Sequence, residues 1–147
     1  MRTSATGADR TAFEALTARL VSQFDALSPS AAPGHHVNGR LTLGENIGDL
    51  GGLTIAYKAY LISLDGQEPA VLDGLTGVQR FFASWAAGWR QVIRNEEAIR
   101  RLATDPHSPN EFRTNAIAKN LDVFHEAFGV TGQDGMWMPP GERVSIW

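Results

Sequence analysis

Leu43-Gly44-Glu45-Asn46-Ile47-Gly48-Asp49-Leu50-Gly51-Gly52-Leu53 is the stretch on which the reading of the fold turns. Continued to Leu64, it predicts one long helix over residues 44–64. Leu43, Ile47, Leu50, Tyr57, Leu61 and Leu64 recur on a four-then-three spacing broken only by Thr54. Leu53, Ile55, Ala56, Ala59 and Ile62 spread apolar surface almost all round, so this helix is expected to be buried. Glu45 and Asp49 interrupt the pattern. Four residues apart, their carboxylates stack on one face, where like charges repel and each loses hydration on burial. A positive group is expected opposite them. Gly48, Gly51 and Gly52 each cost about 1 kcal/mol of helix stability relative to alanine, and together they point to a second backbone packed close by. The pattern suits a carboxylate donated to a metal, with a carboxylate one turn later holding another ligand in place. A plainer reading exists. Thr42 and Glu45 have the spacing of a capping box before an apolar run, although that reading leaves Asp49 and the glycines unexplained.

Working outward, residues 1–8 are small and polar and are expected to be disordered. Residues 9–27 predict an amphipathic helix carrying Phe13, Leu16, Leu20, Val21 and Phe24, with Asp9 as N-cap. Prolines and glycine over residues 28–34 break it, and residues 35–40 lead into the glutamate helix as a loop. Residues 65–77 form a surface loop with a short helix near residues 70–72. Residues 78–93 are helical, and Phe81, Phe82, Trp85 and Trp89 give that helix an aromatic face whose ordinary role is core. Residues 96–103 add a short helix with acidic residues early and Arg100 and Arg101 late. Asp105-Pro106 ends it, so His107-Ser108-Pro109 is non-helical. Residues 115–129 are helical in two pieces with Gly129 as C-cap. His125 is assigned to surface or satisfied core. Residues 136–140 and 143–147 are extended, and the terminal Trp147 is expected to dock onto the body. The fold class is therefore all-α, a single unit over residues 1–147 with an extended C-terminal tail.

Composition narrows the function. The 147 residues are enough for one core, and 43% apolar content is ordinary for a globular chain. A net charge of -3 without a basic stripe argues against nucleic acid as a partner. No run approaches the roughly 20 apolar residues of a membrane span, and the N-terminus lacks a signal-peptide core. Zero cysteines exclude a disulfide framework and a thiolate zinc site.

Residues 43–53 resemble the third-ligand motif of the neprilysin and endothelin-converting-enzyme family of zinc metallopeptidases. Asn38-Gly39 before it, Asp105-Pro106-His107-Ser108-Pro109 with Phe112-Arg113 after it, and residues 136–147 at the end resemble that family too, in the same order. The resemblance implies the C-terminal portion of a thermolysin-like (gluzincin) catalytic domain. It further implies Glu45 as zinc ligand and Asp49 as the residue orienting a zinc-binding histidine. His107 is implied as the stabiliser of the oxyanion on the scissile carbonyl, Arg113 as the holder of a substrate carbonyl, and Trp89 as a wall of the pocket after the cut. Gly88 stands where relatives carry larger residues, which would admit a bulkier substrate side chain. With this match the ligand role of Glu45 is favoured over the capping box. Asp105 is placed to orient His107 from behind, while the plain role for Arg113 is a salt bridge to a carboxylate such as Asp105 or Glu111. Animal members of that family are disulfide-rich ectodomains, so a cysteine-free chain looks more like a bacterial relative, and Val144 stands where those ectodomains carry a cysteine.

One departure governs the expected activity. The family takes two zinc histidines and its general base from an upstream H-E-x-x-H helix, and this sequence has no such string. His35-His36 cannot replace it, because adjacent residues on a helix point about 100° apart. The intact enzyme is thus expected to be a zinc-dependent endopeptidase acting on peptides. This chain alone is expected to bind no zinc tightly, to be inactive, and to self-associate through a face meant for the missing N-terminal part. The alternatives are a non-enzymatic helical interaction module or truncated remnant, and a two-chain enzyme whose other polypeptide supplies the histidines.

Overall fold

A computed structural model of the protein describes residues 6–146. Its α-helices, in chain order, are α1 Gly7–Asp25, α2 Leu43–Ser63, α3 Gly77–Gly88, α4 Asn95–Thr104, α5 Asn110–Ala118 and α6 Asp122–Phe128. A 3-10 turn covers Pro140–Glu142, and among the described residues there is no strand, only an isolated bridge between Leu72 and Leu75. The fold is mainly helical, as the periodicity predicts. No described helix is long and apolar enough to cross a membrane.

Helix α2 is the spine, packing against α1 on one side and α5 on the other, while α3 packs against α5 and α6. Leu20 and Phe24 of α1, Leu50 and Leu53 of α2, Phe82 of α3, Ile117 of α5 and Val144 of the tail close one core. Phe82 sits edge-on to Phe81 and Phe124, and Phe81 and Trp85 pack against the core beside it, so this part of the aromatic stripe is core while Trp89 lies outside it. Where α1 meets the loop before α2, Gly39 is buried, and a Cβ there would collide with the Val21 carbonyl oxygen. Its N–H donates to Asp25 Oδ1 at 2.7 Å. The tail is held by Asn120, whose Oδ1 accepts from Val144 N at 2.7 Å, and by Arg143, which donates to Asp122 at 2.6 Å.

Several boundaries differ from the sequence reading. Thr6, not Asp9, caps α1. Asp9 is the N3 partner whose carboxylate accepts from the Thr6 N–H, and the helix begins at Gly7. Residues 1–5 and Trp147 lie outside the described residues. No helix forms near residues 70–72. Asp73 and Gly74 take positive φ of 51° and 76°, and that tight turn joins Leu72 to Leu75. Helix α3 stops at Gly88 instead of residue 93, with Trp89 as its C-cap. Helix α5 starts at Asn110, not 115, because Pro109 at its N-cap leads straight into the first turn. Gly129 closes α6 in the left-handed conformation, as expected.

The largest difference concerns burial of α2. Gly48 and Gly52 are exposed, and a Cβ at either would meet nothing within 4 Å. The close backbone expected against them is not supplied by the described residues. Ile55 and Ile62 on the same helix are 64% and 78% exposed. An apolar face of the spine therefore looks outward.

Candidate active site

Helix α2, the loop between α4 and α5, and the first turn of α5 meet along one edge of the spine. Glu45 lies in the first turn of α2. Thr42 occupies the N-cap position but makes no side-chain cap, so Glu45 does not close a capping box and its carboxylate is directed elsewhere. It faces His107, with Oε2 3.3 Å from Nε2, and both side chains are close to half exposed. The loop that presents His107 is stiffened by Pro106 and Pro109. Asp105 grips the histidine from behind, its Oδ1 accepting from the His107 backbone N–H at 2.9 Å and lying 2.8 Å from Nδ1. That backbone N–H is the main cause holding the Asp105 carboxyl below its ordinary range, with the His107 ring adding to it against partial burial. An ionised carboxylate only accepts, so the imidazole meets Glu45 and Asp105 together when it carries a proton on each nitrogen.

One turn on from Glu45, Asp49 is buried and receives two hydrogen bonds from Arg113, Nε to Oδ2 and Nη2 to Oδ1, both 2.7 Å. This is the positive group expected opposite the carboxylates. The partner of Arg113 is Asp49 rather than Asp105 or Glu111, since α5 begins early enough to turn the guanidinium toward α2. Glu111 is engaged by Ser30 instead. The flat face of the guanidinium lies over Trp89, 3.9 Å from Cζ to the ring centroid. Trp89 reaches that position because α3 ends at Gly88, and its carbonyl accepts from Asn110 Nδ2 at 3.0 Å. Trp85 Nε1 donates to the Arg113 carbonyl at 3.3 Å. His107 and Arg113 also border a cleft of about 470 Å³ between α4 and the loop before α2, with Arg101 and Asp105 on its wall.

All six residues singled out in the sequence, Glu45, Asp49, Trp89, Asp105, His107 and Arg113, are thus gathered on one edge. Sequence reading missed Asn46 and Ser108. Both are buried, and the Ser108 hydroxyl donates to Asn46 Oδ1 at 2.7 Å. The available signal was an amide at an interior position of an otherwise apolar helix. His125 is a core residue, with Nε2 2.8 Å from the Lys119 carbonyl, but it is only half satisfied, since its Nδ1 is buried without a hydrogen-bond partner.

A profile of Peptidase family M13 matches residues 1–144. The chain belongs to peptidase family M13. Endothelin-converting enzyme 1 of Bos taurus is 40% identical over 139 residues, covering 92% of this chain and 18% of that protein. Human neprilysin is 39% identical over 132 residues, covering 87% and 17%. The chain therefore spans less than a fifth of the length of these M13 relatives. Among solved structures, the inhibitor complex of Mycobacterium tuberculosis zinc metalloprotease ZMP1 superposes with a TM-score of 0.94 at 52% identity, covering 97% of this chain and 22% of that one. PEPO from Lactobacillus rhamnosis gives 0.80 at 36% identity, covering 97% and 21%.

Among the described residues no three His, Cys, Asp or Glu converge as a metal site. Glu45 offers an accessible carboxylate oxygen at a helix start, a donor of the type zinc takes. A tetrahedral site needs further protein donors.

Proposed function

We propose that this chain is the part of a zinc-dependent metalloendopeptidase that carries the third metal ligand and the substrate-polarising side chains. The observation that carries the reading is the approach of His107 Nε2 to Glu45 Oε2 at 3.3 Å, with the Arg113 and Asp49 pair one turn away. A hydrogen-bond donor beside a candidate metal ligand is the arrangement that amide hydrolysis requires, because negative charge develops on the carbonyl oxygen next to the metal. Bound zinc would supply Lewis acidity and lower the pKa of a coordinated water. Glu45 would hold the ion together with histidines from outside the chain. Asp49 has lone pairs left after Arg113 takes two of them, and these suit a hydrogen bond to an incoming histidine. His107, braced by Asp105, donates to the developing oxyanion. Arg113, flattened on Trp89, offers its remaining N–H groups to a substrate carbonyl.

On this reading the partner of the exposed α2 face is the N-terminal part of the same protein. The isolated 147 residues then bind no zinc tightly and cleave no peptide. Calorimetric titration of the chain with zinc is expected to show no stoichiometric submicromolar site. In the full-length protein, Glu45→Gln is expected to lose both zinc, read by elemental analysis, and peptidase activity. Retention of one tightly held zinc by that variant would overturn the ligand role. The exposed Ile55 and Ile62 also suit a second reading, a helical interaction module without catalysis. A genomic reading frame with H-E-x-x-H just upstream decides against it.

A further inference from the structure

Two neighbouring residues of α2 meet two neighbouring residues of the loop after α4. Glu45 faces His107, and Asn46 faces Ser108. Glu45 and His107 are half exposed, whereas Asn46 and Ser108 are 1% and 2% exposed. The buried contact belongs to a directed relay. The Thr42 hydroxyl donates to the Asn38 carbonyl at 3.1 Å, Asn46 Nδ2 donates to Thr42 Oγ1 at 2.9 Å, and Ser108 Oγ donates to Asn46 Oδ1 at 2.7 Å. Because Thr42 Oγ1 already spends its proton on Asn38, Asn46 must present its amide nitrogen to Thr42 and its oxygen to the loop. Only a donor can stand opposite.

We propose that Ser108, acting through Asn46, is the positioning residue that sets His107 against Glu45. The inference rests on the reading of His107 as the oxyanion donor. Asp105 fixes the plane of the imidazole but travels with the same loop, so it cannot fix where that loop sits along α2. Apolar contact would allow sliding, whereas a hydrogen bond between two buried groups is lost beyond about 3.5 Å. A slip of one residue toward the N-terminus of the loop would bring Pro109 to Asn46. Proline has no N–H and no side-chain donor, so the buried oxygen would be left unpaired. A slip the other way would seat the His107 ring on Asn46 Oδ1 and withdraw Nε2 from Glu45, so the register with Ser108 on Asn46 is the one that puts Nε2 at the metal ligand. Displacement of a catalytic group by about 1 Å can cost on the order of 100-fold in rate.

The test uses the full-length, zinc-loaded enzyme well below its unfolding temperature. Ser108→Ala and the nearly isosteric Ser108→Cys, a weak donor, are expected to lower kcat roughly 10- to 100-fold. KM and zinc content stay unchanged, and the affinity for a peptide phosphonate that mimics the oxyanion falls in parallel. Ser108→Thr, which keeps the hydroxyl, is expected to stay within about 3-fold of the parent. In a His107→Ala background, Ser108→Ala should change kcat less than about 2-fold, because the serine has nothing left to position. An equal fall in both backgrounds, or no fall in kcat with either Ser108→Ala or Ser108→Cys, overturns the proposal. A crystal structure of the Ser108→Ala enzyme separates the two layers of the argument. An unmoved imidazole overturns the positioning role, whereas a displaced imidazole beside a His107→Ala variant of full activity supports that role and overturns the oxyanion reading.

Discussion

Asp49 and Arg113 form a structural pair to which the proposed reading also gives chemistry. Their side chains are 9% and 14% exposed, so neither charge keeps much hydration, and the bidentate geometry is what makes burial tolerable. Removing one partner strands the other. Asp49→Asn in this chain is expected to cost about 3 kcal/mol of folding stability, read from urea unfolding at neutral pH. A loss under about 0.5 kcal/mol would place the pair among ordinary surface ion pairs. Replacing both residues by apolar ones of similar size should recover much of the loss while removing the guanidinium proposed to hold substrate. Stability and function then separate in one pair of variants.

Helix α4 and helix α2 make opposite use of their surfaces. In α4, Glu97 accepts from Arg100 Nε at 2.7 Å and from Arg101 Nε at 2.8 Å, and those hydrogen bonds, Arg100 first, pull its carboxyl from 4.5 to about 2. A depressed carboxyl stabilises the folded state above its unfolded pKa, and that contribution is lost as pH falls through the folded value. A carboxyl-carbon NMR titration should therefore show Glu97 still ionised at pH 3, with its midpoint near 2. A midpoint near 4.5 would mean the pair is not formed in solution. The exposed pair adds little to stability either way. In α2, Gly52 carries open space where a side chain would be. Gly52→Ala is expected to stabilise the isolated chain by about 1 kcal/mol, since alanine is the better helix former. In the full-length protein the same change should be neutral or harmful, because a covering backbone would meet the new methyl. If the isolated chain is destabilised instead, that face is already covered.

For the whole molecule, the decisive property is the outward apolar face of its longest helix. Ile55 and Ile62 at 64% and 78% exposure, with Leu61 at 44%, form a surface that water penalises. The isolated chain is expected to self-associate with rising concentration and to bind an apolar dye. Ile55→Lys with Ile62→Lys should suppress both, as followed by sedimentation velocity and dye fluorescence. A wild-type monomer at all concentrations with little bound dye would show that the exposed residues need no partner.

Much of the helix content could be read from the sequence, because amphipathic period, proline stops and the Gly129 cap act over a few residues, whereas spacing singled out only Glu45 and Asp49 and the other candidate site residues came from the family resemblance. The zinc-peptidase resemblance rests on short collinear strings and needed no coordinates either. What the tertiary structure decided was pairing at a distance. Arg113 chose Asp49, 64 residues away, over its sequence neighbours, and Ser108 chose Asn46 across 62. The outward turn of α2 was equally hidden, since a helix apolar almost all round looks buried whether its cover lies in the same chain or in another. Local sequence carries propensity, but which donor meets which acceptor depends on helices brought together by a core that no short window contains.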